Sequence, residues 1–158
     1  MYSHDDDKLT KTGLDFKKHD QYGIETKDFG ELLISSGMVL NEEVSWISYE
    51  SGYDFAYLLK IMTGLPVPKT PNEYYNFLNL YFPNLFDIKF ILSNSDYYNG
   101  NLKDIQDLSD NLQVKRIGTA NQAGSNSFLV SSVFFLLKSK FFHEPKVEWN
   151  GRISGIDV

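Results

Sequence analysis

The sequence predicts an α/β domain that has few strands and many helices. The segment Val44-Ser-Trp-Ile-Ser-Tyr49 is short, β-branched and aromatic, which is typical of a strand, and Leu85-Phe86 predicts a very short second strand. Capping residues and apolar residues at three- to four-residue spacing mark most of the remaining chain as helical. We therefore expect two or three strands packed by five or six helices.

Two helices flank the first strand. Thr26 is a candidate N-cap for the helix before the strand, and Gly37 is the matching C-terminal stop. The helix after the strand is expected from about Tyr53 to Thr63, closed by Gly64.

Strong cap signals mark the next two helices. Thr70-Pro-Asn-Glu73 combines a threonine N-cap, proline at the first helical position and a glutamate three residues after the cap. This pattern predicts a helix that runs to about Tyr81 and stops before Pro83. Asp87 is a candidate cap for one or two further helical turns through Leu92.

Apolar spacing predicts the last two helices. One apolar stripe at helical spacing consists of four residues, Leu102, Ile105, Leu108 and Leu112. A long helix from about Ser125 to Phe142 is apolar on most sides and is therefore expected to be central. The turn-rich tail is expected to contain one short strand near Arg152 to Ser154.

Composition limits the classes of function. With 158 residues, 42% of them apolar, the chain can form one domain, 1–158, with little structure expected in residues 1–13. The formal charge of -6 argues against a broad phosphate-binding surface, although metal ions can still bridge carboxylates and a phosphate locally. Cysteine is absent, which excludes disulfides and thiolate zinc sites. The most apolar run, 128–137, is too short to span a bilayer, so a soluble intracellular domain is expected.

The first predicted strand lacks a predicted partner. Both faces of this strand carry bulky residues, which is typical of a strand in the interior of a sheet. Such a strand needs hydrogen-bonding partners on both sides, and the sequence offers one, near Leu85. We therefore expect the other edge of segment 44–49 to be exposed, covered by a neighbour or paired with a second copy.

Asp54 is the strongest candidate for a functional carboxylate. It lies one turn into the helix that follows the first strand, which is where α/β sheets present ligands. The structural alternative is equally good at this point, because Ser51-x-x-Asp54 is also the pattern of a capping box. The residues alone leave both interpretations open.

Nine landmarks in the right order carry a family resemblance. They are Gly13-Leu-Asp-Phe-Lys-Lys-His19, Gly23-Ile-Glu-Thr26, Phe29-Gly-Glu-Leu-Leu33, Ser36-Gly-Met-Val-Leu40, Trp46-Ile-Ser48, Ser51-Gly-Tyr-Asp-Phe55, Tyr81-Phe-Pro83, Arg116-Ile-Gly118 and Gln122-Ala-Gly-Ser125. Across almost its whole length the chain resembles the Caf/Pop-type deadenylase subunit of the Ccr-Not complex, within the DEDD superfamily of 3′-5′ exoribonucleases.

The resemblance implies a fold, an activity and partners. It implies an RNase H-like mixed sheet flanked by helices, which removes poly(A) tails from messenger RNA with two divalent metals, Mg²⁺ or Mn²⁺. A Not-type helical scaffold subunit and a Ccr-type nuclease are the implied protein partners, with no membrane, and cytoplasm and nucleus are the implied locations. The first strands of the family domain lie before the start of this chain, so a truncated version of the fold is expected.

The resemblance also places an active site on three residues, two at metal-ligand positions and one at the general-base position. Asp54 falls at the third active-site carboxylate, Asn126 at the fourth, and Asn121 at the general-base histidine. The amide oxygen of Asn126 can act as a weak metal ligand but lacks the charge of a carboxylate, and Asn121 cannot exchange a proton near neutral pH. The alternative, which we favour for Asn126, is that Ser125 and Asn126 cap the last helix.

The remaining candidates have ordinary structural explanations. Lys115 and Arg116 are candidates for RNA backbone contacts, but isolated basic pairs more often lie on a solvated surface. Four tyrosines are candidates for base stacking or, more simply, for packing and surface positions: Tyr53, Tyr57, Tyr97 and Tyr98. Asp87 is expected to be a helix cap, with support of the metal site as the alternative, and His19 and His143 are assigned to surface or packing.

Three functional hypotheses follow. The first is a metal-dependent poly(A)-specific exoribonuclease that uses Asp54. The second is a non-catalytic subunit of the same complex, motivated by Asn121 and Asn126. The third is an unrelated α/β domain. For the chain as given, we expect an incomplete or inactive metal site, because a lone aspartate with neutral amides cannot hold two dications against a phosphate.

Overall fold

The structure is a computed structural model that describes residues 10–11, 13–98 and 103–156. Seven complete α-helices lie within these ranges: α1 Phe16–Tyr22, α2 Thr26–Ser35, α3 Gly52–Thr63, α4 Pro71–Tyr81, α5 Ile88–Ser93, α6 Ile105–Asn111 and α7 Ala123–Leu137. Two strands, β1 Ser45–Ser48 and β2 Asn84–Asp87, complete the regular elements together with a π-helical turn, Lys138–Phe142, and a 3-10 turn, Val147–Trp149.

The two strands form a parallel sheet. In the register of the pair, Ser45 lies opposite Asn84 and Ser48 lies opposite Asp87. The strand expected in the tail is reduced to a single parallel bridge between Phe86 and Arg152. The predicted α/β class with two or three strands is therefore confirmed.

Most predicted helix ends agree with the structure. The hydroxyl of Thr70 accepts a hydrogen bond from the Glu73 N–H at 3.4 Å, and the carboxylate of Asp87 accepts one from the Phe90 N–H at 3.1 Å, so both residues are N-caps as predicted. Gly37 and Gly64 follow the ends of α2 and α3 with φ angles of 77° and 67°, in the left-handed region that favours glycine.

One helix was missed by the sequence analysis, and the starts of two predicted helices need correction. Helix α1 was not predicted, although Asp15 accepts hydrogen bonds from the N–H groups of Lys17 and Lys18 at 3.1 and 3.2 Å and caps it. The N-cap of α2 is Glu25, so Thr26 is the first helical residue. The helix predicted from the 102–112 stripe begins at Ile105 in the structure, as α6, and residue 102 lies outside the described residues. Little structure was also expected in residues 1–13, of which residues 1–9 and 12 lie outside the described residues.

Two apolar clusters lie on opposite faces of the sheet. Leu85 of β2 belongs to the cluster built mainly by α3 and α4, whose members include Leu59 and Leu78. Its neighbour Phe86 packs against the other cluster, formed by α5, α6, α7 and Trp149. Because successive side chains of a strand point to opposite faces, the sheet separates the two clusters.

One edge of the sheet is open in the described part of the chain. Strand β2 is the only hydrogen-bonding partner of β1 there, and no other backbone bond reaches residues 45–48. This agrees with the expectation that the strand lacks one partner. Within the same described ranges, no helix is long and apolar enough to cross a bilayer.

Candidate functional site

A cleft opens where the carboxyl end of β1 meets the N-termini of α3 and α7. It brings together all three residues that the sequence places in the site, although Asp54 lies far from Asn121 and Asn126 along the chain. The cleft has a volume of about 460 Å³ and is lined by Tyr49, Asp54, Ile105, Asn121, Ala123, Asn126, Ser127 and Val130. A smaller groove of about 240 Å³ continues along β1 and again includes Asp54 and Asn126.

The turn from β1 into α3 presents Asp54. Gly52, the first residue of α3, is packed so closely against the tail that a Cβ atom there would lie 2.5 Å from the Cγ1 atom of Ile156. The Gly52 N–H also donates to the Ser154 carbonyl oxygen at 3.2 Å. Glycine at this position therefore lets the tail fix the start of α3, and Asp54 follows in the exposed first turn.

Asp87 holds the same turn from beneath. Its side chain is fully buried, and its Oδ2 atom accepts from the Ser51 N–H at 3.2 Å and from the hydroxyls of Ser48 and Ser51 at 3.4 Å each. The Ser51 hydroxyl is thus directed to Asp87, and the predicted capping box with Asp54 is not formed. Within the described ranges, the carboxylate of Asp54 makes no hydrogen bond or ion pair, which leaves it available to the cleft.

Asn126 is held by an arginine. Helix α7 begins at Ala123, so Ser125 and Asn126 lie inside its first turn, and the expectation that they cap the helix is wrong. The Arg116 Nη1 atom instead donates to the Asn126 Oδ1 atom at 2.8 Å and to the Ser125 hydroxyl at 3.0 Å. The sequence shows no long-range signal for this contact, because it depends on how the 113–122 loop folds over α7.

Asn121 lies in the loop before α7 with its side chain exposed. Its φ angle is 65°, in the left-handed region where asparagine is one of the few favoured side chains. The loop therefore has its own conformational reason for asparagine here. Asn121 nevertheless lines the cleft beside Asp54.

The described residues do not fit a two-metal centre. Such a centre needs several anionic oxygen ligands, and the described lining of the cleft offers one carboxylate and two neutral amides. No group of three or more histidine or acidic side chains suited to a metal occurs in residues 10–11, 13–98 and 103–156. A metal pair bound here would require further carboxylates from outside these ranges.

The other sequence candidates are dispersed. Tyr97 packs against Phe142 and Trp149, and the Tyr98 hydroxyl accepts from the Asn111 side-chain amide at 3.0 Å. The remaining candidates outside the cleft are exposed residues: His19, Tyr53, Tyr57, Lys115 and His143. Tyr49 was missed by sequence reasoning, although it directly follows β1 and lines the cleft; burial raises the pKa of its hydroxyl.

Comparison with known proteins identifies relatives over most of the chain. No protein-family model matches it. The chain is 52% identical over 134 residues to poly(A) ribonuclease pop2 of Schizosaccharomyces pombe, which covers 85% of this chain and 39% of that protein. It is 40% identical over 150 residues to the probable CCR4-associated factor 1 homolog 7 of Arabidopsis thaliana, covering 95% of this chain and 54% of that protein.

Two solved structures share the fold. The Mg²⁺- and Mn²⁺-bound form of S. pombe Pop2p has a TM-score of 0.89 and 46% identity, covering 99% of this chain and 62% of that chain. Yeast CAF1, co-crystallized with the NOT1 MIF4G domain, gives a TM-score of 0.81 at 23% identity, covering 97% and 60%, and supports the fold alone. The predicted RNase H-like fold is therefore confirmed.

These relatives are longer than the chain, which spans about half the length of the Arabidopsis relative and less of the fission yeast one. Their similarity extends over nearly all of this sequence, including the segments around Asp54 and Asn126. The chain therefore belongs to the Caf/Pop family of ribonuclease domains.

Proposed function

We propose that the protein represented by this chain is a deadenylase-family subunit of the Ccr-Not complex, a poly(A)-specific 3′-5′ exoribonuclease that acts on messenger RNA tails with Mg²⁺ or Mn²⁺. The observation that carries the proposal is the cleft in which Asp54, Asn121 and Asn126 converge at the end of β1. The 52% identity to a poly(A) ribonuclease and the metal-bound form of S. pombe Pop2p support it. Cytoplasm and nucleus are the locations that this role entails.

For the chain itself we propose an incomplete metal site. Among the described residues, Asp54 is the one carboxylate that lines the cleft, and the amide of Asn126 adds no charge. A dication held by one carboxylate and water binds weakly, and a second dication beside it is repelled. The chain by itself is therefore expected to bind one divalent ion weakly and to leave poly(A) intact.

Calorimetric titration with Mn²⁺ and an oligo(A) degradation assay test this proposal. We expect one weak Mn²⁺ site that disappears in Asp54→Asn, and no degradation of labelled oligo(A) by either protein. Asp28→Asn is the matched control, because Asp28 is also an exposed aspartate in the first turn of a helix. Two tight sites, unchanged binding by Asp54→Asn or oligo(A) trimming by the wild-type chain would each contradict the proposal.

A second candidate function is a non-catalytic subunit of the same complex. The neutral side chains of Asn121 and Asn126 favour it, because Asn121 cannot act as a general base and Asn126 lacks the negative charge of a metal-binding carboxylate. In this role the helices dock a Not-type helical scaffold and a Ccr-type nuclease, in line with the CAF1 structure that contains a NOT1 MIF4G domain. Co-elution of the chain with a purified NOT1 MIF4G domain, unaffected by Asp54→Asn, is the expected result; failure to co-elute would oppose this role.

A further inference from the structure

The guanidinium of Arg116 is half-buried among neutral oxygen atoms. Its Nε atom donates to the Gln106 Oε1 atom at 2.5 Å, and its Nη1 atom donates to the Ser125 hydroxyl at 3.0 Å and to the Asn126 Oδ1 atom at 2.8 Å. None of its contacts in the described part of the chain is a carboxylate. Gln106 is itself fixed, since its Nε2 atom donates to Asp110 at 2.8 Å.

This contact determines which way the amide of Asn126 faces. A guanidinium carries five N–H donors and no acceptor, so only the oxygen of the amide can face it favourably. The reverse orientation would set N–H groups against N–H groups. The Nδ2 atom of Asn126 is therefore left for the cleft, and no described residue accepts a hydrogen bond from it.

Asp54 lines the same cleft and the same groove as Asn126. An ionised aspartate only accepts hydrogen bonds, whereas the exposed side of Asn126 only donates them. A ligand group that matches both must accept and donate at once. A hydroxyl does so, because its oxygen accepts while its hydrogen is donated, and a phosphate would be repelled by Asp54.

We propose that this cleft binds a ribose 2′-hydroxyl of RNA, which accepts from the Asn126 amide nitrogen and donates to the Asp54 carboxylate, with Arg116 as the positioning residue for Asn126. The choice of RNA rests on the proposed function; the orientation of Asn126 does not. The same orientation withholds the amide oxygen from a cation.

Binding of oligo(A) and oligo(dA) by the wild-type chain in EDTA tests the ligand. Loss of the 2′-hydroxyl removes one neutral hydrogen bond and one bond to a carboxylate, so oligo(A) is expected to bind at least about tenfold more tightly. Asn126→Ala and Asp54→Ala should each bind the two oligomers equally. Equal binding of both by the wild-type chain, or binding of neither, would overturn the ligand assignment; equal binding would still leave RNA binding itself in place.

Substitutions at position 116 test the positioning role. Arg116→Met should lose the discrimination against oligo(dA), whereas Lys115→Met, which removes the neighbouring exposed charge, should retain it. Asn126→Asp gives Arg116 an ionic partner and removes the amide donor, so this variant should also lose the discrimination against oligo(dA). Because it adds a carboxylate to the cleft, it should bind Mn²⁺ more tightly than the wild type. If Arg116→Met does not fold, Asn126→Asp still tests the donor that Arg116 is proposed to orient: retained discrimination would overturn the proposal.

The NMR resonance of the Asn126 side-chain amide gives a further test. It should not respond to RNA if the contact between Arg116 and Asn126 only stabilises the fold. The signal is assigned by its loss in Asn126→Asp and should shift on addition of oligo(A) to the wild-type chain. It should move little with oligo(dA). Equal shifts with the two oligomers would contradict recognition of a ribose hydroxyl by this amide.

Discussion

Two aspartates near the carboxyl ends of the strands have different roles because their surroundings differ. Asp87 is fully buried and accepts hydrogen bonds from Ser48, Ser51 and Phe90, so its oxygens are committed to the fold. Asp54 is exposed and makes none of these contacts within the described ranges. A buried, fully bonded carboxylate stabilises structure, whereas an exposed, unbonded one is available to a ligand.

The buried hydroxyl of Tyr74 links the stability of the fold to pH. Its hydroxyl is buried and donates to the Gly52 carbonyl oxygen at 2.7 Å, at the start of the helix that carries Asp54. Burial, with smaller effects of Tyr75 and Asp54, raises the pKa of Tyr74. Its folded pKa lies above the unfolded value of about 10, so the folding stability that depends on its protonated form is present below pH ~10 and is lost as pH rises further.

We expect Tyr74→Phe to lower the free energy of unfolding by about 1 kcal/mol at neutral pH, because one buried hydrogen bond is removed. Urea unfolding between pH 7 and 11 should also show a shallower alkaline loss of stability in this variant. The loss should not vanish, since burial also raises the pKa of Tyr49 and Tyr75. Tyr53→Phe, at an exposed tyrosine, is the control and should follow the wild type; an unchanged alkaline slope in Tyr74→Phe would contradict the assignment.

The carboxylate of Asp87 connects both strands to the helices that follow them. Asp87 ends β2, caps α5 and bonds to the turn that joins β1 to α3, so four elements meet at its side chain. An ion pair between Lys89 of α5 and Glu50 of the same turn, 2.5 Å between Nζ and Oε1, adds a more exposed link. The position of Asp54 in the cleft therefore depends on contacts beneath α3 as well as on α3 itself.

Replacing Asp87 by alanine should be among the most destabilising single substitutions in the chain. It leaves buried backbone and hydroxyl donors without an acceptor, and we expect a loss of about 3 kcal/mol in the free energy of unfolding. Asp104→Ala removes another N-cap aspartate, which is exposed and, among the described residues, bonds only to the Asp107 N–H; it should cost about 1 kcal/mol. Equal losses in the two variants, measured by urea unfolding, would show that Asp87 acts as a cap alone.

The molecule as a whole has an asymmetric sheet. Apolar clusters cover both of its faces, yet the outer edge of β1 has no hydrogen-bonding partner in residues 10–11, 13–98 and 103–156. The strand, Ser-Trp-Ile-Ser, carries no charge and no proline, which are the usual means of keeping an edge from pairing. Ile47 and Ser48 of the same strand line the groove that continues from the cleft.

We expect the purified chain to self-associate in the micromolar to millimolar range, since an unprotected edge is a template for strand pairing. Light scattering after size-exclusion chromatography should show a mass that rises with concentration. Ser45→Lys places a charge on the exposed start of β1 and should shift the chain toward monomer, whereas Ser139→Lys adds the same charge to an exposed site on another element. A wild-type chain that stays monomeric throughout this range would contradict the expectation.

Local signals in the sequence located most of the elements. The caps Thr70 and Asp87 and the stop Gly64 act through residues three or four positions away, so reading neighbours in sequence was enough. The same reasoning missed α1, despite its Asp15 cap, because the helix buries no apolar face. The start of α7 was placed two residues late because Ser125 resembles a cap while its hydroxyl is bonded to Arg116.

The sequence by itself determined the family, the α/β class and the three residue types of the cleft, because ordered motifs and short-range patterns carry that information. Tertiary structure alone decided what those residues can do. Ser51 bonds to Asp87, 36 residues away, and so leaves Asp54 unbonded, while Arg116 donates to the amide oxygen of Asn126. Hydrogen-bond donors and acceptors are assigned by the groups that meet in space, and for this site those groups come from segments far apart in the chain.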